Sequence, residues 1–354
     1  MKKTPVTQKE IAQAAGVSQN TVSLALRGDP RLSEETGERI RGIANEMGYR
    51  PNPLVSALMA QMKHRRPSYT STLAIVIEGP RRKELPGHPS LERALRGARD
   101  RAGHRGYNVE MYWILDAELS VSRLESILRN RAIHGLIWHP RLEATDPPAF
   151  SWGHFAAAVL AVLDRRFAAF HSASAQPFRH VETALEELER RGCRRPALAI
   201  PRRYEWIMDH LYSGAMLTLP ERLGLPLIPP FSASPWNRDS FLKWFEIQKP
   251  DAVLTRSTEL LDWVLSAGIR VPEELSLVHL GWNERLRDWA GVDPAAESIG
   301  AAAADLVIDQ LNANERGIPA VPKMVLTGGR WVEGGTVRRS PSPTLLPASG
   351  NRCD

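Results

Sequence analysis

The sequence has 354 residues, of which 43% are hydrophobic and 24% are charged, a balance typical of globular proteins with two or three domains. This balance excludes a mostly disordered chain, and the presence of only two cysteines, Cys193 and Cys353, excludes a disulfide scaffold. The first ten residues include several charged side chains and are not followed by an apolar stretch, so we expect no signal peptide. No apolar run approaches the roughly 20 residues of a membrane span, and we expect a cytoplasmic protein.

The positive charge is concentrated near the N-terminus. The net charge of the chain is +6, and residues 1–66 contain 11 basic and six acidic residues, whereas the remaining 288 residues contain 35 and 34. Such an asymmetry indicates a nucleic acid or an anionic surface as a partner, although a mild basic excess is also typical of a solvated face.

The N-terminal pattern predicts three short helices. Thr7 and Glu10 have the spacing of a capping box, and Gly16 breaks the helix that follows them. Ser18 and Ser33 are suited to cap a second and a third helix. Two helices joined by a tight glycine turn and followed by a third are typical of a helix-turn-helix module. The same arrangement also occurs in protein-interaction modules, so both interpretations stand at this point.

The second helix carries short polar side chains at and after its start: Ser18, Gln19, Asn20, Thr21 and Ser23. Glutamine and asparagine can form two hydrogen bonds with an adenine edge, and hydroxyls at a helix N-terminus suit phosphates. The alternative is that these residues only cap the helix and face solvent.

Three segments, residues 6–23 (VTQKEIAQAAGVSQNTVS), 33–36 (SEET) and 48–54 (GYRPNPL), resemble the lac repressor (LacI/GalR) family of bacterial transcription regulators. The resemblance implies that the second helix enters the major groove of double-stranded DNA, where Gln19 and Asn20 read bases. It implies a homodimer, most often a repressor, on a near-palindromic operator. It places further DNA contacts on Thr7, Ser18, Thr21, Ser23, Leu24, Arg27, Tyr49, Asn52, Leu58 and Lys63.

Leu24 departs from the family pattern, because the family often has arginine or histidine at this position. A leucine cannot form a hydrogen bond with a base edge, so Leu24 can only contact a thymine methyl group or pack against its own module. The operator sequence is therefore not predicted.

Residues 51–71 are predicted to connect the module, residues 1–50, to the rest of the chain. Pro51 and Pro53 stiffen this segment, and an apolar stripe follows over about ten residues, a length at which an isolated helix is marginal in water. One interpretation is a linker helix that rests on the next domain. The resemblance instead implies a hinge helix that forms on DNA, where Leu58 wedges into the minor groove and Lys63 lies near phosphates.

From Thr72 onward, predicted strands and helices alternate, which favours an α/β fold with parallel sheets. The family resemblance continues less closely to residue 336 and implies a two-lobed, periplasmic-binding-protein-like effector domain with three crossovers. We place the first lobe at about 72–164 and 293–313, the second at about 170–283 and 322–336, and a flexible tail at 337–354. The crossovers are then expected near 164–170, 283–293 and 313–322.

No catalytic signature occurs in the sequence: it has no Walker loop, no strand followed by a glycine-rich dinucleotide motif and no cysteine pair with zinc spacing. We therefore predict that the protein is not an enzyme and uses no cofactor or metal. The alternative is a ligand-binding protein or enzyme built on the large domain, in which the N-terminal module binds another protein.

The sugar-binding groups expected from the family are missing at three positions. Gly281 and Trp282 stand where an acidic residue is expected, and Leu211 and Gln176 replace an arginine and an aspartate. We predict a small-molecule site, of unspecified ligand, lined by Glu78, Trp138, His139, Trp282 and Asn283. Its aromatic side chains would either stack on a ligand ring or fill the cleft.

Overall fold

The computed structural model describes residues 7–26, 32–49, 71–114, 119–141, 148–160, 163 and 165–339. The N-terminal part contains three described helices, α1 (Gln8–Ala15), α2 (Gln19–Leu26) and α3 (Glu34–Glu46). Buried apolar side chains from all three helices form a single small core. Ile11, Val22 and Ile40 are its largest buried members, one from each helix. The helical module predicted from the capping pattern is confirmed.

Within the described residues, the first lobe is built on a six-stranded parallel sheet in the order β10-β5-β4-β3-β1-β2. Its strands are β1 (Ser71–Ile77), β2 (Tyr107–Trp113), β3 (Gly135–His139), β4 (Ala156–Leu160), β5 (His171–Ala175) and β10 (Met324–Thr327). Helices cover both faces of this sheet, as the predicted strand–helix alternation requires.

The two faces of the first sheet use alternate residues of β1. Leu73 and Ile75 pack towards α4 (Pro89–His104) and α11 (Ala296–Ala313), whereas Val76 packs towards α5 (Val121–Asn130). The continuous apolar sequence of β1 therefore reflects a strand that is buried on both sides.

Helices α4 and α11 approach each other at two glycines. A Cβ atom on Gly97 would lie 2.1 Å from the carbonyl oxygen of Glu297, and one on Gly300 would lie 1.8 Å from that of Ala94. Any side chain at these positions would push the helices apart. This contact joins two segments that lie about 200 residues apart in sequence.

The second lobe, over the residues described, has a five-stranded sheet in the order β11-β9-β8-β7-β6. Its strands are β6 (Pro196–Ala199), β7 (Ala252–Thr255), β8 (Ser276–His279), β9 (Ala290–Asp293) and β11 (Arg330–Val332), of which β11 runs antiparallel to β9. Its helices are α6 (Pro177–Arg190), α7 (Arg202–Ile207), α8 (Leu211–Arg222), α9 (Arg238–Gln248) and α10 (Glu259–Ser266). Helices α6 and α8 pack on one face, and α9 and α10 on the other.

Over the residues that the structure describes, the chain crosses between the lobes three times, and each crossing lies later than expected from the sequence. The crossings fall between β5 and α6, between β9 and α11, and between β10 and β11. The expected crossings at 164–170, 283–293 and 313–322 are therefore corrected to short segments near 176, 294 and 328.

The composition of three strands explains this difference. Strand β5 has the sequence HSASA, and β9 has AGVD, so neither shows the run of large apolar residues that predicts a buried strand. Strand β10 lies at the edge of the first sheet, with exposed side chains on Met324 and Val325. The residues of β5 and β10 were therefore assigned to the second lobe, and β9 fell within the expected crossing at 283–293.

Helices α7 and α8 are separate elements because Asp209 and His210, between them, adopt left-handed backbone conformations. One further expectation requires correction. The tail expected from residue 337 begins later, since Val337 is buried in the second lobe and the Arg338 amide donates to Ser276 Oγ at 3.2 Å.

Candidate DNA-reading surface and interlobe cleft

The turn between α1 and α2 has the predicted helix-turn-helix geometry. The Thr7 amide donates to the Glu10 carboxylate at 2.6 Å, and the Glu10 amide donates to Thr7 Oγ1 at 3.4 Å, so the capping box is present. The Thr7 hydroxyl also donates to the Glu10 carboxylate, at 2.8 Å, and the bonds from the Thr7 amide and hydroxyl lower the pKa of Glu10. Gly16 ends α1 with a φ of 67°, a conformation that glycine adopts without strain. The Val17 amide closes the turn on the Ala12 carbonyl at 3.0 Å.

At the start of α2, Ser18 and Thr21 form the helix cap, and the neighbouring Gln19 is exposed to solvent. Ser18 Oγ accepts from the Thr21 amide at 3.1 Å and lies 2.8 Å from Thr21 Oγ1, so both hydroxyls take part in the cap. Gln19, next to them, is exposed, whereas Leu24 is half-buried. Asn20 and Ser23 lie in α2, but their side chains are outside the described part of the molecule.

The remaining predicted DNA contacts divide into two groups. Thr7 is exposed at the start of α1, and the Tyr49 hydroxyl accepts from Gln8 Nε2 at 3.2 Å, which ties the end of the module to its beginning. The other four positions lie outside the described residues: Arg27, Asn52, Leu58 and Lys63.

Two arginines of α3 hold the other helices in place, a role that the sequence analysis missed. Arg39 Nη1 donates to the Ala15 carbonyl at 3.1 Å, and Arg41 Nη1 donates to the Ala25 carbonyl at 3.2 Å. Carbonyls in the last turn of a helix lack partners within the helix, and cations are favourable there. Sequence spacing does not reveal which carbonyl a long side chain reaches, because that depends on how the helices pack.

In the first lobe, the predicted cleft residues Glu78 and His139 are engaged by neighbouring groups. The Glu78 carboxylate accepts from Trp138 Nε1 at 2.7 Å and from the Arg141 amide at 2.8 Å. His139 Nδ1 lies 3.1 Å from the Leu160 carbonyl, and burial lowers the pKa of His139 to about 4. Both side chains thus lie at the carboxyl edge of the sheet and stabilise it.

Trp138 does not line the cleft as predicted. Its side chain is fully buried, and its ring lies 5.4 Å from that of Phe150 and 5.0 Å from that of Trp152, centroid to centroid. Of the two roles considered for it, the structure favours packing over ligand stacking, because the ring has no exposed surface.

Trp282 and Asn283 lie in the second lobe, and both stabilise one loop. Trp282 Nε1 lies within hydrogen-bonding distance of the carbonyls of Leu286, at 2.9 Å, and Trp289, at 3.0 Å. Asn283 Oδ1 accepts from the Arg285 amide at 3.1 Å. Of the five predicted cleft residues, burial thus removes Trp138 from the site, and a shared cavity for the other four stays a prediction.

A cavity of about 420 Å³ instead lies within the second lobe, at the carboxyl ends of β6 and β7. Arg202, Arg203 and Tyr204 line it after β6, Arg256 lines it after β7, and Trp236 lies beside them. The sequence analysis missed these residues. The rule that open α/β sheets bind ligands beyond the carboxyl ends of their strands would have indicated both segments.

A buried ion-pair network spans the lobes where the chain crosses. Arg93 of the first lobe pairs with Asp293 at 3.1 Å and with Glu297 at 2.7 Å, and Arg330 pairs with Asp293 at 3.2 Å. Arg93 is 7% exposed and Asp293 is 1% exposed, so water screens their attraction little. Hydrogen bonds from Arg93 lower the pKa of Glu297 to about 2.

The described ranges contain neither a metal-binding cluster nor a membrane-spanning helix. Among the residues in those ranges, no group of three or more histidine, cysteine, aspartate or glutamate side chains is placed to hold a metal ion. No helix in the same ranges is long and apolar enough to cross a membrane.

The fold and the module together define a class: a helix-turn-helix module followed by a two-lobed, periplasmic-binding-protein-like domain. Residues 7–52 match the family described as bacterial regulatory proteins of the lacI family, and residues 185–337 match the periplasmic binding protein-like domain. The chain therefore combines a helix-turn-helix module that matches the lacI family with a domain that matches the periplasmic binding protein-like domain.

Curated relatives are similar over part of their length. The transcriptional regulator MalR of Streptococcus pneumoniae is 28% identical over 136 residues, which cover 38% of this chain and 38% of MalR. The regulator PtxS of Pseudomonas plecoglossicida is 49% identical over 57 residues, 16% of this chain and 17% of PtxS. The aligned part of this chain thus covers well under two thirds of the length of each of these relatives.

Solved structures show the same fold over nearly the whole chain. One is a complex of the transcriptional regulator CelR with cellobiose, which has a TM-score of 0.56 and 18% sequence identity. The match covers 94% of this chain and 99% of the CelR chain. The lac repressor dimer bound to operator and the anti-inducer ONPF has a TM-score of 0.53 at 18% identity, with coverage of 95% and 100%.

Proposed function

We propose that this protein is a transcriptional repressor that binds a near-palindromic operator as a homodimer in the cytoplasm. The observation that carries the proposal is the exposed Gln19 at the start of α2, directly after the Gly16 turn, in a module that matches the lacI family. A helix start that follows such a turn can enter the major groove, and two-fold symmetry of the protein implies symmetry of the operator.

In this proposal the DNA contacts fall into two kinds. Gln19 and Asn20 read base edges, and hydroxyls and basic side chains around them contact phosphates and set the orientation. The latter group comprises Thr7, Ser18, Thr21, Ser23, Arg27 and Tyr49. Leu24 contacts a thymine methyl group or supports the helix.

The segment 51–71 forms the proposed hinge. Asn52 and Pro53 begin its helix, Leu58 enters the minor groove between the two half-sites, and Lys63 neutralises phosphate charge. Because a helix of about ten residues is marginal alone, it forms on DNA with its copy in the dimer.

A small-molecule effector bound to the large domain changes how the lobes, and therefore the two hinges, are held. Such a molecule shifts DNA binding only by its difference in affinity for the two arrangements. The similar solved structures named above contain cellobiose or ONPF, which supports an effector here without identifying it. We assign the protein no catalytic step and no cofactor.

The proposal is tested by selecting genomic fragments with the full-length protein and measuring their binding by electrophoretic shift at physiological salt. We expect a subset of fragments to bind at least a thousandfold more tightly than random duplexes of the same length. These fragments should share an inverted repeat. If no fragment exceeds random DNA in affinity, the regulator proposal is wrong.

A further inference from the structure

We propose that the cavity of the second lobe binds a small molecule through an oxyanion group, a carboxylate or a phosphate. The inference depends on the proposed function only in treating that molecule as the effector. Its basis is a set of arginines that line one cavity and have no carboxylate partner among the residues that the structure describes.

The cavity has the position and the size of a ligand site. It opens where β6 ends at Ala199 and β7 ends at Thr255, so residues from two neighbouring parallel strands meet at its wall. Its volume of about 420 Å³ lies within the range of about 300–1,000 Å³ typical of small-molecule sites.

The lining of the cavity is strongly cationic. Arg202, Arg203 and Arg256 all contribute to it, and none of the three forms an ion pair with a carboxylate anywhere in the described ranges. The acidic residue of the lining, Glu259, accepts hydrogen bonds from Trp236 Nε1 at 3.0 Å and Ser257 Oγ at 3.2 Å. Elsewhere in this lobe, arginines do pair with carboxylates, as Arg222 does with Glu182.

Two of the guanidinium groups share one aromatic ring. The Cζ atoms of Arg203 and Arg256 each lie 5.0 Å from the centroid of the Tyr204 ring, so these charges are no more than twice that distance apart. Cations on one ring gain from its π electrons but repel each other. An oxyanion in the cavity would reduce this repulsion, and guanidinium groups match carboxylate and phosphate geometry with paired hydrogen bonds.

Arg256 is held in position by its surroundings. Its Nη1 donates to the Leu280 carbonyl at 3.2 Å, and its Nε is buried without a hydrogen-bond partner among the described residues. A Cβ atom on Gly281 would lie 1.3 Å from Nη1 of Arg256. Gly281, found where the sequence analysis expected an acidic residue, therefore provides the space that this guanidinium occupies.

The chemistry of the lining favours an anion over a neutral sugar. Sugar hydroxyls need acceptors as well as donors, whereas arginine supplies donors only. The one carboxylate of the lining, Glu259, already accepts through Oε2 from Trp236 and Ser257, and three arginines outnumber it. Tyr204 and Trp236 are half-buried and offer apolar surface to the rest of the ligand.

The test uses the full-length protein and inorganic phosphate as the probe. The melting temperature is followed during titration with phosphate, with chloride at matched ionic strength as the reference and acetate as a parallel titration. We expect a saturable rise with phosphate or with acetate, beyond that with chloride, and the tighter of the two identifies the preferred oxyanion. No saturable rise with either would overturn the proposal.

Matched variants locate the effect. Arg256→Gln removes the guanidinium, and Gly281→Ala displaces it without changing charge; each should weaken anion binding at least tenfold. Arg270→Gln alters an exposed arginine of the same lobe that pairs with Glu274 and should bind like the wild type. An equal response of all four proteins would show general anion stabilisation and would contradict the site. If Gly281→Ala does not fold, the comparison of Arg256→Gln with the wild type and Arg270→Gln still tests whether the anion binds in this cavity.

DNA binding by the same protein preparations, measured without added anion, distinguishes the proposed cavity site from the proposed regulator function. Anion binding without any preferred DNA fragment would leave the cavity site standing and refute the regulator. Preferred DNA fragments without anion binding would refute the cavity site and leave the regulator standing.

Discussion

The helix-turn-helix module and the second lobe place the side chains for which we propose a function in different ways. In the module, Gln19 is presented by a turn and a cap that lie within a dozen residues of it. In the second lobe, Arg203 and Arg256 come from different strand ends, and Gly281 makes room for one of them. A local sequence pattern can therefore predict the first site, whereas the second depends on packing between distant segments.

The same contrast extends to stability. The module has a small core within residues 7–49, whereas the two lobes are joined by the ion pairs of Arg93 with Asp293 and Glu297, which lie about 200 residues further along the chain. The following changes are expected to separate these two kinds of organisation, beginning with the largest effect.

Asp293→Asn should destabilise the two-lobed domain by about 3 kcal/mol, because it removes one partner of a buried ion pair while Glu297 still compensates part of the Arg93 charge. Urea unfolding followed by tryptophan fluorescence measures the effect. Asp309→Asn, which changes an exposed carboxylate paired with Arg105, is the control and should shift stability by less than about 1 kcal/mol. Equal effects would show that burial of the network does not matter.

Ile40→Ala should destabilise the module by about 2–4 kcal/mol, since this fully buried side chain fills the centre of its core. DNA binding should fall with the folded fraction of the module, while the unfolding transition of the lobes stays unchanged. Glu38→Ala, at an exposed position of the same helix, is the control. A matching loss of stability in the lobes would contradict the independence of the two regions.

Arg41→Met should cost about 0.5–1.5 kcal/mol of module stability, because the Ala25 carbonyl at the end of α2 loses its donor while the aliphatic stem is kept. Hydrogen exchange of the α2 amides reports this change directly. We expect faster exchange in α2 than in α1; uniform acceleration across the module would argue against a specific anchoring role.

The smallest effect concerns pH. The pKa of Glu297 is lowered from 4.5 to about 2, mainly by hydrogen bonds from Arg93, so its carboxylate stabilises the fold above pH 4.5 and loses that contribution as the pH falls towards 2. The difference in melting temperature between wild type and Glu297→Gln should therefore be present at pH 7 and shrink below pH 4.5. A difference that stays constant down to pH 3 would contradict this assignment.

The elements predicted from sequence were those with strong local signals. Capping residues and apolar spacing predict α1 to α3, and long apolar runs predict β1 and β3. The short strands β5 and β9 were missed because alanine, serine and glycine fill them where helices pack closely, and their omission shifted the crossings.

One residue of the predicted cleft, Trp138, was assigned wrongly for a related reason. Strand-end positions were chosen by residue type, which favoured Trp138 and Trp282, but aromatic residues at strand ends also fill cores, and Trp138 is fully buried. The arginines of the second lobe are ordinary surface residues in sequence. Only their convergence in the fold, beside Tyr204, distinguishes them.

The central claim is that the contiguous N-terminal module reads DNA through the start of α2. It is tested most directly by selecting binding sites from random duplexes in parallel with the wild type, Gln19→Ala and the control Gln13→Ala, an exposed glutamine on α1. We predict one inverted-repeat motif for the wild type and Gln13→Ala, and a loss of preference at one position of each half-site for Gln19→Ala, worth about 1–3 kcal/mol. Identical motifs for all three proteins, or no enriched motif, would contradict the account.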